Sequence, residues 1–164
     1  TNSARENLNN NHTKHQGLEF SLGLDITETL SFNGVFNLAS HTYENSQISG
    51  GLNIQGNDVY TAPNTFGNFR LSWRPTRDIT AELEWVNMGD YYTNAENTAN
   101  YEGHDLANLR IQYTLSESIN LSLNVLNLTD EAYAERADWT TFTGDRYFPG
   151  EPARAFFAVN WKFR

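Results

Sequence analysis

Cysteine is absent from the 164 residues, which excludes disulfides, zinc–thiolate sites and thiol catalysis together. Lysine occurs only at Lys14 and Lys162, and the net charge is −9. Such a chain lacks the clustered positive charge that phosphates require, so no nucleic-acid partner is expected. No apolar run approaches the ~20 residues of a spanning helix, which excludes a helical membrane protein. There is also no Gly-x-Ser-x-Gly elbow, HExxH pair, phosphate-binding loop or calcium loop. Gly50-Gly51 and Gly56-Asn57-Asp58 are turn formers with no helix behind them.

What the chain does have is period-two alternation, the mark of strands with one apolar face. Leu18, Phe20, Leu22, Leu24 and Ile26 alternate with polar or small residues, and Leu30, Phe32, Gly34, Phe36 and Leu38 follow after a short turn. The same pattern recurs at Phe69 to Trp73, Ile79 to Trp85, Ala107 to Leu115, Ile119 to Val125 and Ala155 to Phe163, giving seven expected strands. Tyr91-Tyr92 are expected to close the fourth, the stretches 43–64 and 93–103 read as loops, and a polar loop follows Tyr133 before Arg146 to Arg154 lead into the last strand. Connections therefore alternate short and long, which suits an outer-membrane barrel with tight turns on one side and long loops on the other.

Charge supports that reading. Glu19, Asp25, Arg70, Arg74, Glu82, Glu84, Arg110, Arg154 and Lys162 all fall in the polar rows, and the apolar rows as read here carry none. An Arg or Lys facing lipid at mid-bilayer costs roughly 2 to 4 kcal/mol, so the uncharged rows are the ones expected to face lipid. Trp73, Tyr113, Trp161 and Phe163 gather at the short-turn end, and Tyr43, Tyr91, Tyr92 and Tyr133 at the long-loop end, as two interfacial belts would. The fold class expected is all-β, with antiparallel up-and-down strands.

Asn127-Leu128-Thr129-Asp130-Glu131-Ala132-Tyr133 ends the sixth strand, and Tyr147-Phe148-Pro149-Gly150-Glu151-Pro152-Ala153-Arg154 leads into the aromatic closing strand. This pair, with Gly89-Asp90-Tyr91-Tyr92 and His104-Asp105-Leu106-Ala107-Asn108-Leu109-Arg110 upstream, resembles the C-terminus of TonB-dependent outer-membrane receptors. The motif residues are Asn127, Leu128, Asp130, Tyr133, Tyr147, Pro149, Gly150, Pro152 and Arg154. The resemblance implies a transmembrane β-barrel fragment: residues 1–16 as an extracellular loop segment and 17–164 as about seven C-terminal strands of a 22-stranded plugged barrel. It further implies a Gram-negative outer-membrane location with the C-terminus on the periplasmic side. Uptake of a ferric siderophore or related iron complex is the implied activity, with no enzymatic step and no cofactor. The TonB complex would be contacted through an N-terminal part outside the chain. No signal peptide is visible at Thr1, in keeping with a processed or partial chain. Trp161 and Phe163 resemble the family's signal for the barrel-assembly machinery.

For ligand contact the loop before the closing strand offers Arg136, Trp139, Phe142, Arg146 and Tyr147, cations and aromatics suited to an anionic iron chelate. His12 and His15, three apart, read as solvated loop histidines with no metal. Two other readings stand beside this one. A soluble β-sandwich binding a carbohydrate would bury the apolar rows against a second layer, and an outer-membrane hydrolase would use His41 or His104 with a serine or aspartate.

Overall fold

The computed structural model describes residues 12–45 and 53–163. Seven strands form one antiparallel sheet: β1 (Thr13–Asp25), β2 (Leu30–Tyr43), β3 (Thr65–Trp73), β4 (Ile79–Met88), β7 (His104–Ser116), β8 (Ile119–Leu126) and β11 (Arg154–Trp161). Each pairs with the next of the set, leaving β1 and β11 at the edges. Four shorter strands make two separate hairpins, β5 (Tyr91–Tyr92) with β6 (Asn100–Tyr101), and β9 (Ala134–Thr140) with β10 (Gly144–Pro149). The seven expected strands are thus the seven of the main sheet. The hairpins are a correction, because two of the three long connections carry β-structure of their own.

Register puts every apolar row in line. Leu22 lies opposite Gly34 and Gly34 opposite Phe69, while Leu83 pairs with Leu109 and Ile111 with Leu123. Phe69 lies across Gly34 and Gly67, where an added Cβ would crowd its ring, and between Phe32 and Phe36 at centroid distances of 6.3 and 6.4 Å. Two missing side chains therefore make room for three aromatic ones on the same face.

Among the described residues nothing packs over that face. Leu18, Leu22, Phe157 and Val159 are between 58% and 67% exposed, and the buried apolar residues, Ala107 apart, lie at the loop end of the sheet. A sandwich would cover these rows, so the soluble β-sandwich reading fails: among the described residues there is one sheet layer and two small hairpins. An open apolar face of this extent matches a strand wall in hydrocarbon.

Two expectations need correcting at the long-loop end. The strands run further than their alternation shows, β1 beginning at Thr13 and β7 at His104, and this brings Lys14 and Asp105 into the otherwise uncharged rows. Both sit at the extremity, beyond the ~9–11 residues that span a bilayer. Asp105 there accepts hydrogen bonds from Trp85 Nε1 (3.1 Å) and Asn87 Nδ2 (2.8 Å). The upper belt also differs. Tyr43 and Tyr91 are buried and Tyr133 is half-buried, so Trp85, 44% exposed, is the aromatic that the lipid-facing row presents at this end. At the other end Trp73, Tyr113 and Trp161 stand beside the turns, as expected.

Candidate functional site

On the polar face of β3, β4 and β7 the side chains form a bonded ladder. Glu84, only 5% exposed, accepts from Arg70, Asn68, Asn108 and Arg110, and Arg110 reaches Glu82 at 2.8 Å. Period-two alternation puts these residues on one face, and the register sets Arg70 and Arg110 on either side of Glu84. Two cations and two amides fill the acceptor sites of one carboxylate, and Arg70 and Arg110 stay partly exposed, 48% and 38% by side chain. Such a wall suits a hydrated interior rather than lipid.

Above the sheet the three long connections fold onto one another. Tyr91 Oη accepts from the Ala137 N–H at 2.8 Å, and Tyr101 Oη accepts from the Ala134 N–H at 3.0 Å. Two phenols of the β5–β6 hairpin thus take backbone donors of β9, and Tyr91, Tyr101, Ala134 and Ala137 form a small buried core. Burial raises the Tyr101 pKa above its usual value. Residues 57–58 join the cluster, since Asn57 donates to the Ala95 carbonyl and Asn97 exchanges bonds with the backbone of Asp58.

The motif residues form a clasp between the end of β8 and the start of β11. Asn127, with φ of 49°, donates to the Glu131 and Glu151 carbonyls and accepts from the Glu131 N–H. Asp130 accepts from the Ala153 N–H at 2.9 Å. Tyr133 lies so close over Gly150 that any Cβ there would collide with its ring, and the Gly150 N–H donates to the Tyr133 carbonyl at 2.9 Å. Leu128 bonds through its N–H to Ala107, while Arg154 pairs with Glu151 at 2.9 Å. Tyr147, Pro149 and Pro152 line a cleft of about 530 Å³ with Tyr101 and Tyr133. The motif is legible in sequence; its mechanical role as a strap comes only from the bonds.

The five residues expected at a ligand divide between the faces of the β9–β10 hairpin. Register pairs Asp138 with Arg146 and Arg136 with Phe148 on one face. There Arg136 and Arg146 share the Asp138 carboxylate at 2.7 and 2.6 Å, and both guanidinium groups sit over the Phe148 ring, 5.5 and 6.0 Å from its centre. The Arg146 hydrogen bond, with Arg136 beside it, holds the Asp138 carboxyl below its usual range. Trp139 and Tyr147 belong to the opposite face, and Phe142 stands at the tip, 97% exposed. Asp138 and Phe148, absent from the sequence-based set, organise the two arginines. No local pattern in the sequence marks them, because the pairing that brings them together is set by the hairpin register. Trp161 and Phe163 lie ring to ring at 4.4 Å beside the end of β11.

Histidines are arranged otherwise than their spacing suggests. His15 is in β1, not a loop, and its Nδ1 lies 2.8 Å from Nδ1 of His41 on β2. His12 stands apart, its backbone N–H donating to Asn45 Oδ1. His104 bonds Tyr101 Oη at 2.9 Å and meets the Tyr133 ring.

Residues 1–128 match the family model described as TonB dependent receptor-like, beta-barrel. Among solved structures, the siderophore receptor PiuA from Acinetobacter baumannii superposes with a TM-score of 0.79 at 19% identity, covering 93% of this chain and 22% of that one. The ferric yersiniabactin uptake receptor FyuA from Yersinia pestis gives 0.79 at 15% identity, covering 94% and 24%. For the closed form of the ferric-catecholate import receptor Fiu from E. coli K12 the values are 0.74, 22%, 93% and 21%. No curated protein sequence matches. The chain spans between a fifth and a quarter of the length of these receptors, which are transport proteins rather than enzymes. With the family match covering 1–128 and the fold shared almost end to end, this chain belongs to the TonB-dependent receptor β-barrel family, whose members are outer-membrane proteins of Gram-negative bacteria.

Proposed function

We propose that the chain supplies barrel wall and outer loops to a receptor that takes up a ferric siderophore or related iron complex. The carrying observation is the loop cluster at one end of a lipid-facing wall, bearing two arginines on one aromatic ring with a single carboxylate between them. Two cations against one anion leave a net positive charge, and an anionic chelate gains charge-assisted hydrogen bonds by displacing part of the Asp138 pairing. The names of the similar receptors, a siderophore receptor and importers of ferric yersiniabactin and ferric catecholate, favour the same ligand class.

In this reading the residues ahead of β1 belong to an outer loop, which ends before Thr13 and not at the expected residue 16, and the strands from β1 onward are C-terminal strands of a 22-stranded plugged barrel. The open edges of β1 and β11 receive the rest of the wall. The short turns and the C-terminus face the periplasm. The TonB-contacting segment and plug belong to a part outside the chain, and Trp161 with Phe163 serves the barrel-assembly machinery; unchanged membrane insertion after Phe163→Ala would rule that role out. Arg136 and Arg146 contact the ligand with Phe142 at the rim, while Trp139 and Tyr147 pack the hairpin from its other face.

The test is uptake of radiolabelled ferric siderophores by cells whose only receptor is the full-length protein. Replacing Arg136 and Arg146 together by Ala is expected to weaken binding by about 10- to 100-fold, the worth of one or two charge-assisted bonds. Unchanged affinity in that double variant ends the arginine assignment, and failure of every ferric chelate to accumulate ends the transport reading.

A further inference from the structure

We propose that His15 and His41 form a binding site for one divalent transition-metal ion, Zn²⁺ or Cu²⁺, on the polar face of the β1–β2 hairpin near its long-loop end. The site rests on the geometry of the two imidazoles and owes nothing to the iron-uptake reading. Hairpin register makes the residues direct cross-strand partners, each thirteen positions from Glu28 at the centre of the turn. Both side chains point to the polar face, in the row of Glu19 and Asp25, so water and ions reach them.

Their Nδ1 atoms face each other at 2.8 Å, with ring centres 5.0 Å apart. A contact this short between two nitrogens needs one proton in it, carried on Nδ1 of one ring. His15 Nε2 lies 2.9 Å from Thr13 Oγ1. In its Nε2–H tautomer His15 donates to that hydroxyl and turns a bare Nδ1 lone pair toward His41, which is the form a metal takes. Metal-ligating histidines are held in the same manner, with the far ring nitrogen donating to an orienting oxygen. Thr13 thus stands where it can hold His15 in the metal-binding tautomer.

Zinc bound by two imidazoles at about 2.0–2.1 Å with a tetrahedral angle needs its nitrogens about 3.3 Å apart. Opening the pair by about half an ångström, with the rings turned so that both lone pairs converge off the N–N line, admits the ion. The shared proton moves from Nδ1 to Nε2 of the ring that carries it, through solvent, as the metal arrives, so a neutral pair binds without net proton release. Among the described residues no third His, Cys, Asp or Glu joins the cluster, and water or a ligand carried in from outside fills the remaining positions. Imidazole donors suit Zn²⁺, Cu²⁺ and Ni²⁺, with Cu²⁺ strongest in the usual order of divalent ions.

The experiment uses the full-length protein in detergent, free of any histidine tag, titrated with Zn²⁺ by calorimetry and with Cu²⁺ by electron paramagnetic resonance. One equivalent of Zn²⁺ and a copper spectrum split by two nitrogens are expected. Either His15→Gln or His41→Gln removes a chelating partner and should weaken binding by on the order of 10- to 100-fold. Thr13→Val should weaken it by about tenfold with both ligands intact, while His104→Gln should leave it unchanged. Both histidines are outside any packed core, so the variants keep the fold, and unaltered heat-modifiable migration checks this. Absence of a bound equivalent, or binding that survives either histidine substitution at full strength, overturns the proposal.

Discussion

At the residue scale the consequential groups are two carboxylates, each held between two arginines. Glu84 is nearly enclosed, yet Arg70 and Arg110 keep part of their surface in contact with water, so removing the negative charge strands neither cation in a dry interior. Glu84→Gln is therefore expected to cost about 1–2 kcal/mol, below the penalty for breaking a fully buried pair. Urea unfolding of the full-length receptor measures it, with Glu19→Gln on the same face as a control expected within about 0.5 kcal/mol of the parent. Asp138 gives a pH prediction. Its carboxyl titrates lower in the folded hairpin than in an unfolded chain, so its stabilisation is fully present above the ordinary Asp range and disappears as pH falls through the lowered folded value. The hairpin should stay closed at pH 5 and loosen only in stronger acid, as read by Trp139 fluorescence against a Trp139→Phe background. Asp138→Asn should abolish that acid transition.

At the element scale the strands of the wall were legible and the loop hairpins were not, for a physical reason. A strand with hydrocarbon on one side and water on the other must alternate strictly, and Leu18 to Leu24 or Ile119 to Val125 do so without interruption. A hairpin such as β9–β10 meets water and other loops on its two faces, so no solvent contrast imposes a period on Ala134 to Pro149. Its order comes from Tyr91 and Tyr101 reaching across to the backbone of β9, a contact invisible to local pattern. The strand ends were missed likewise, since alternation fades once β1 and β7 rise past the lipid. The clasp makes a sharper prediction. Asn127→Ala loses three hydrogen bonds and forces a Cβ-bearing residue without a local polar partner into positive φ, for an expected loss of about 2–3 kcal/mol. Asn127→Gly loses the same bonds but accepts that backbone angle, so about 1 kcal/mol of the loss should return. Gly150→Ala should displace Tyr133 and raise amide exchange at Glu131 and Ala153 together; exchange that rises at only one of them would show that the two segments are not strapped as a unit.

At the scale of the whole molecule the governing fact is a sheet with one face uncovered. A water-soluble domain of this length would turn Leu22, Leu24, Phe157 and Val159 inward, whereas here they stand clear of any other part of the described chain. The inversion is energetic rather than accidental, because lipid replaces the missing second layer and the ion-paired polar face takes the water. Position 22 lies near the middle of the apolar band, opposite Gly34 and in line with Phe69, while its neighbour Ser21 points the other way. Arginine at these adjacent positions should therefore have unequal effects. Leu22→Arg places a cation in hydrocarbon and is expected to destabilise the folded receptor in vesicles by roughly 2 to 4 kcal/mol, and Ser21→Arg by less than about 1 kcal/mol. Reversible folding into lipid vesicles, followed by the heat-dependent shift in gel mobility, measures both. Equal effects would mean that the two faces see the same solvent, and the wall would then have no membrane to explain it.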